Sequence, residues 1–447
     1  MAERVSRSSV QLDVQAGESP AHEVPTSETP FQILVIGDFS GRGNRGLHAP
    51  LTGRHPLRVD CDNLDETLSQ MGVALNLPQA TLRFRELDDF HPDHIYRQAD
   101  PFRKLEDERD RPPAAPSPAP QAKPLQPGRS LLDQMLEDAE ASTPAAARSG
   151  DTLADFIEKA VAPHLERSDP GRKQWQARVD AMATDQMRAV LHHADFQALE
   201  AAWRAAQMLV QRLNPDSELR IYLLDVTLQE LLDQPQQFAA CLAASREPWA
   251  LIAANFAFGQ SARDAARLRT LGRIAATAGA ALLAEALAPS EALLGPDWSV
   301  LRKSTEAHWI ALALPRFLLR LPYGKATSVV ESFAFEEMPQ SVHSEYLWGN
   351  PAVACACVVG EAFREEGWDL RPGRGQLTGL PQHFYKQDGE SVSKPCAEIL
   401  LTEHDAEFLL ENGLVPLASM KDQDAILLPR IQSIADPLAP LSGRWTG

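Results

Sequence analysis

Cysteine is scarce in this chain: five among 447 residues, at Cys61, Cys241, Cys355, Cys357 and Cys396. So few thiols, so widely scattered, cannot frame a disulfide-stapled fold. The Cys355-x-Cys357 pair has no second pair or histidine cluster to complete a zinc tetrahedron, so it is expected to serve core packing. Basic charge is also in deficit, with 43 Lys+Arg against 61 Asp+Glu and a formal net charge of −18. The deficit falls on both sides of Arg111, so no basic domain hides inside the total. Non-specific attraction to nucleic acid or to an anionic membrane is therefore disfavoured. Long apolar runs are missing as well. The longest, Ile274–Ala284 and Pro351–Gly360, fall short of the roughly 20 residues that span a bilayer. The opening residues, MAERVSRSSVQLDV, lack the apolar stretch of a signal peptide. A cytoplasmic protein without direct membrane insertion is expected.

What is present is proline, 34 residues in all and unevenly placed. Residues 112–127, PPAAPSPAPQAKPLQP, hold seven of them. Proline fixes φ and removes a backbone donor, so this stretch predicts an extended spacer outside any core. It divides the chain into a first unit over 1–111 and a second over 128–447. The second opens with a helical segment, 128–215, and continues as an α/β region, 216–447. With 44% hydrophobic and 23% charged residues, the chain has ample material for such cores.

In the first unit, residues 10–14 (VQLDV) alternate as an edge strand does, and 31–36 (FQILVI) form a buried strand ending at Gly37-Asp38. Further strands are expected at 57–60 and 81–87, with a short helix carrying Leu64, Leu68 and Met71 between them. In the second, helices are expected near 130–140, 152–165, 172–192 and 195–213. A strand over 219–224 follows, then a capping box at Thr227-x-x-Glu230. A strand near 249–256, a helix near 261–278 and a buried segment after 280 continue the alternation. It ends with apolar segments at 398–401 and 414–417 flanking a helix stopped by Gly413. Alternating β and α elements with buried apolar strands define an α/β fold class.

The motifs that suggest chemistry are incomplete. Gly41-Arg-Gly43-Asn-Arg-Gly46 has the G-x-G-x-x-G spacing, but Pro50 and Pro56 break the helix that a dinucleotide fingerprint must open. A glycine-rich surface loop is expected there, with a nucleotide-binding enzyme as the remote alternative. Residues 323–328 (YGKATS) are similar to the tail of a phosphate loop, yet Leu319 stands where its first glycine should be. His91-x-x-His94 has no third ligand, and Pro92 and Asp93 predict a turn. His192-His193 falls at a helix end, where cations are favoured. No catalytic, cofactor or metal site is expected. Instead Arg316 and Arg320 sit in an apolar segment followed by Glu331, Glu336 and Glu337. Buried arginines require carboxylate partners, so these five predict a structural or interface ion-pair network. Trp298, Trp309, Trp348 and Trp368 fall in the same stretch and suit a core or an interface.

Several segments carry a family likeness. FQILVIGDFSGR (31–42), DNLD (62–65) and LDDFHPD (87–93) resemble the small sheath subunit of type VI secretion systems. HHADFQALEAAWRAAQMLV (192–210), GPDWSVLRKSTEAHWIALALPRFLLRLPYG (295–324) and EYLWGNPA (345–352) resemble the large sheath subunit. The chain is thus similar to both subunits fused through a proline spacer. The resemblance implies mixed α/β domains and a non-enzymatic building block of a contractile injection apparatus. Its partners would be itself or other sheath subunits, with an inner needle tube, baseplate proteins and a AAA+ disassembly ATPase in prospect. Leu131, Leu132, Asp133, Met135 and Leu136 are similar to the large subunit's ATPase-binding helix. Both parts stop short of the family pattern, the first near Arg111 and the second at Trp445-Thr-Gly447, which implies a shortened protomer. The alternative is an adaptor or regulator of sheath assembly or disassembly that does not polymerise.

Overall fold

The computed structural model describes residues 24–110, 170–288, 295–387, 389–421 and 423–445. Its organising element is β1 (Phe31–Gly37), seven residues buried from end to end. A strand so apolar on both faces needs neighbours on both edges and helices above and below. It finds them far along the chain. Six further strands join it: β2 (Leu57–Val59), β3 (Leu219–Asp225), β4 (Trp249–Phe258), β5 (Ala281–Ala286), β6 (Ile310–Leu314) and β7 (Val415–Pro416). The order across the sheet is β7-β6-β5-β4-β1-β3-β2. All pairs are parallel except β2–β3 at one edge. β1 pairs with β3 from Phe31↔Leu219 to Gly37↔Asp225 and with β4 from Gln32↔Trp249 to Ile36↔Ala254. Chain order therefore runs outward from β1, first to β3 on one side and then to β4, β5, β6 and β7 on the other. That is a doubly wound α/β sheet with its switch point between β1 and β4.

Helices cover both faces, as the parallel crossovers demand. On one face Leu268, Leu271 and Ile274 of the helix Ala262–Ala278 join Trp298, Leu409, Leu34, Ile252 and Leu312 in a single core. On the other lie the helices Ala194–Leu213 and Pro351–Glu366, which pack on each other where Gly360 leaves room for Leu213. The second of these is buried along almost its whole length, and Cys355 and Cys357 are part of that core. Burial pushes the Cys355 thiol up to about 12 and raises the Cys357 thiol as well. No described helix is long and apolar enough to cross a membrane.

The described residues fall into two compact units, one of 24–101 with those from 184 onward and the other of 102–110 with 170–183. Within the second, Trp175 donates its indole N–H to the Glu108 carbonyl at 2.9 Å, and Arg109 pairs with Asp180 at 3.3 Å.

Three local expectations are corrected. The alternating stretch 81–87 is strand only over Thr81–Arg83, because Glu86 and Asp89 form a capping box that opens a 3-10 turn at Leu87. Pro92 does not make a mere turn. It occupies the first position of the helix Pro92–Gln98, where its missing N–H costs nothing. Residues 398–401 form no strand, and Thr402 caps the helix Glu403–Glu411 directly after them. The segments at 10–14, near 130–140 and at 152–165 lie outside the described residues, as do Leu131, Leu132, Asp133, Met135 and Leu136.

Candidate functional site

In an open parallel sheet, ligands bind outside the carboxyl ends of the strands at the switch point. Here that place is filled by the protein itself. The turn after β1 presents four backbone N–H groups, and each already has an anion. Phe39 and Ser40 donate to the Asp225 Oδ1 at the end of β3, both at 3.0 Å. Arg42 and Gly43 donate to the Asp38 carboxylate at 2.8 and 2.7 Å. Burial raises the Asp38 carboxyl, the N–H groups of Gly43 and Arg42 pull it back, and Asp225 nearby adds to the rise. The Phe39 ring is fully buried against Trp203, 5.5 Å between centroids, and the Trp203 indole N–H donates to the Phe39 carbonyl at 2.7 Å.

The expected surface loop is a turn that reaches solvent at Gly43 and Gly46, but its root is not at the surface: Ser40 and Gly41 are buried. Gly41 has φ +74°, and a Cβ there would lie 2.3 Å from the Ala74 carbonyl. Gly46 has φ +63° in open space. The glycines shape a docked turn whose anion nest is occupied by carboxylates of the same chain.

Two ion-pair networks flank this turn. In the first, Arg42 reaches Asp225 at 2.9 Å and Glu230 at 3.2 Å, and Arg54 grips the same Glu230 at 2.6 and 3.1 Å. The Thr227–Glu230 capping box, expected from the sequence, fixes the Glu230 side chain from the helix side. Burial works against ionising Glu230, but Arg54, the Thr227 and Ala49 N–H groups and Arg42 outweigh it and hold the carboxyl at about 2.

In the second network Arg320, its side chain only 10% exposed, bridges two carboxylates. It meets Glu200 at 2.8 and 3.2 Å and Glu337 at 2.8 and 3.1 Å. Its guanidinium lies 4.2 Å over the Tyr323 ring. Arg204, one helical turn after Glu200, donates to it at 2.7 Å and to the Tyr323 hydroxyl at 2.9 Å. Glu337 also accepts the Tyr323 backbone N–H at 2.7 Å and stands 3.5 Å from the His192 ring. Burial raises the Glu337 carboxyl, yet Arg320 and these donors bring it down to about 2. A strap over 328–338 carries Glu337 past the helix Pro92–Gln98. Asp93 of that helix accepts the backbone N–H groups of Glu331 and Ser332 at 2.8 to 3.1 Å, and Tyr96 stacks on Phe333 at 5.0 Å.

Of the five residues singled out from the sequence, the structure brings together only Arg320 and Glu337. Arg316 instead clasps Glu398 at 2.8 and 2.6 Å, with Glu285 at 3.9 Å. Glu331 joins through its backbone alone. The Glu336 carboxylate takes the Lys325 N–H at 3.1 Å, and its carbonyl takes Arg188. The four tryptophans separate too: Trp298 lies in the main core, Trp309 is buried at the end of the 3-10 turn Thr305–Trp309, Trp348 lies with Tyr346 and Leu318, and Trp368 lies against Phe31 and Phe363. Glu200, Arg204, Asp225, Arg42 and Asp93 were not expected as partners. The Glu200–Arg204 spacing of four, on an otherwise apolar helix face, was the available signal.

Among the described residues, one group has metal-ligand proximity: Glu86, Asp89 and His94. Asp89 there accepts the Arg85 and Glu86 N–H groups as the cap of the 3-10 turn, which accounts for its placement.

The fold is thus an α/β sheet whose switch-point crevice is filled by the chain's own turn and braced by ion pairs. The EvpB/VipB tail sheath N-terminal domain matches residues 173–297 and 295–435, and the type VI secretion system VipA family matches residues 2–146. The chain is 30% identical over 302 residues to the type VI secretion system sheath protein TssC1 of Pseudomonas aeruginosa, covering 58% of this chain and 61% of that protein. A solved structure, the contracted helical sheath of the anti-feeding prophage, aligns over 53% of this chain and 54% of its own, with TM-score 0.30 and 16% identity. The chain belongs to the tail-sheath family of type VI secretion systems and carries small- and large-subunit segments in one polypeptide. The first network and the turn thus join the two segments, Arg42 and Arg54 of the VipA-like part meeting Asp225 and Glu230 of the VipB-like part. The second network lies within the VipB-like part, and Asp93 of the VipA-like part holds its strap.

Proposed function

We propose that this protein is a fused sheath-like protomer, a structural and non-enzymatic component of a contractile injection apparatus that assembles with itself or with separate sheath subunits. One observation carries the reading. β1 of the small-subunit segment lies in the middle of the large-subunit sheet, hydrogen-bonded on both edges, and ion pairs with buried carboxylates hold the turn that follows. In such a joint the two segments are tied by main-chain pairing, and the chain's own carboxylates occupy the N–H groups of the turn. The chain spans 61% of the curated relative it matches, so the form of the assembly, the needle and baseplate contacts and the ATPase handle at residues 131–136 belong to this proposal.

Electron microscopy of the purified chain, alone and mixed with separately expressed sheath subunits, tests it. Tubes, rings or co-assembled sheath are expected. Monodisperse particles in both samples, without co-purification, would overturn it in favour of a non-polymerising regulator.

A further inference from the structure

A cavity of about 380 Å3 opens at the carboxyl ends of β4, β5 and β6, away from the plugged switch point. Its floor holds Glu285, Glu398 and Arg316. Arg316 is committed to Glu398 through two short bonds, which leaves Glu285 with that shared guanidinium at 3.9 Å. Two carboxylates thus divide one arginine, with the His343 ring 3.2 Å from Glu398 and Lys394 behind that ring at 3.3 Å. Burial, opposed in part by Arg316 and aided by Glu398, pushes the Glu285 carboxyl up to about 7. Two apolar side chains of its lining stand in solvent: Leu287 and Ile399, 49% and 44% exposed. A groove with an apolar rim and an under-neutralised floor fits a partner that offers an apolar knob beside a positive charge.

The chain carries such a knob at the opposite end of the same sheet. The helix Pro296–Arg302 lies between β5 and β6 in the chain and runs back against the strand direction. Its last turn and Lys303 therefore lie near the amino ends of the strands. Val300 is 56% exposed, and Lys303, three positions on and so on the same helical side, is exposed too. No described carboxylate pairs with Lys303, whereas the neighbouring Arg273 already has Glu306 at 3.3 Å. We propose that the Val300/Lys303 knob of one copy of this chain docks in the Glu285 groove of the next. A knob and groove at opposite ends make a heterologous contact, which propagates as an open stack of copies. The inference rests on the assembly reading above and names the side-chain contact within it.

Zero-length carbodiimide coupling on an equal mixture of 14N- and 15N-labelled full-length protein tests the contact. An amide between Lys303 and Glu285 or Glu398, recovered as mixed-isotope peptide pairs, is expected. Its absence, or its recovery in single-isotope pairs only, would overturn the proposal. Charge reversal gives the second readout. E285K and K303E should each reduce sedimentable assembly at least fivefold, and the double variant should recover at least half of it, with thermal melts confirming that each variant is folded. Single variants that assemble like the parent overturn this contact while leaving the sheath reading intact. A parent that assembles neither alone nor with sheath subunits overturns both.

Discussion

Trp203 and Phe39 are 164 positions apart, and the indole N–H of one donates to the backbone carbonyl of the other at 2.7 Å in a fully buried setting. This bond closes the crevice at the switch point and ties the large-subunit helix to the small-subunit turn. Trp203→Phe keeps most of the ring but orphans the Phe39 carbonyl, so a loss of about 1–3 kcal/mol is expected. Urea denaturation followed by circular dichroism reads it as a lower midpoint with unchanged slope.

Among the described residues, Arg320 is the only cation that touches both Glu200 and Glu337 in their buried site. Arg320→Ala should cost about 3–5 kcal/mol, because it leaves charge in a low-dielectric core. Arg320→Met combined with Glu337→Met should be milder than Arg320→Ala, since Glu200 keeps Arg204. A double variant as damaged as the single one would show that the bridge matters for its shape rather than its charge balance.

Acid and base should act on different carboxylates. Glu230 and Glu337 are held at about 2 against an ordinary 4.5, so their stabilisation is full above pH 4.5 and is lost as pH falls toward 2. Glu285 works the other way. With its carboxyl at about 7, ionising it in the folded state costs nothing below pH 4.5 and a growing amount up to pH 7. Glu285→Gln should therefore stabilise the protein at pH 8, by at most about 3 kcal/mol, and leave it unchanged at pH 4. Melts at pH 3, 4 and 8 distinguish the two groups.

Calorimetric titration with ATP or NAD should give no binding heat, because Asp38 and Asp225 already occupy the N–H groups of the glycine turn. Gly41→Ala should prevent stable folding through its clash with the Ala74 carbonyl. Gly46→Ala, in open space, should cost only the left-handed backbone strain of about 1–2 kcal/mol.

Thiol labelling separates the cysteines. Cys61 is exposed and should react within the native state, whereas Cys355 and Cys357, buried with raised thiols, should react only on unfolding. Fast labelling of the buried pair would mean that the helix Pro351–Glu366 opens locally.

Elements set by local pattern were legible from the residues alone. FQILVIG could only be a buried strand, Thr227-x-x-Glu230 could only open a helix, and the apolar run after Pro351 had to be core. Partners set by topology were not. Periodicity placed Arg320 in an apolar setting and required a carboxylate, but nearby Glu331 and Glu336 were as eligible as Glu337. The second acid, Glu200, lies 120 positions away on a helix that only the folded sheet brings alongside. The glycine turn misled for a related reason: its spacing shows that the backbone bends, not that Asp225 arrives to fill it. Pro92 misled because proline ends a helix from inside but begins one at its first position.

The position of β1 has a consequence for how the chain is made. Phe39 and Asp225, hydrogen-bonded at the end of the β1–β3 pair, are separated by 186 positions. At a synthesis rate of about 5–20 residues per second, β1 leaves the ribosome roughly 10–40 s before the first strand it pairs with. For that interval an apolar seven-residue strand with two bare edges is held by nothing, and a chaperone, or delayed collapse, must keep it from pairing with its like. Separate small and large subunits would meet the same requirement as a search between molecules. Here it becomes a wait within one.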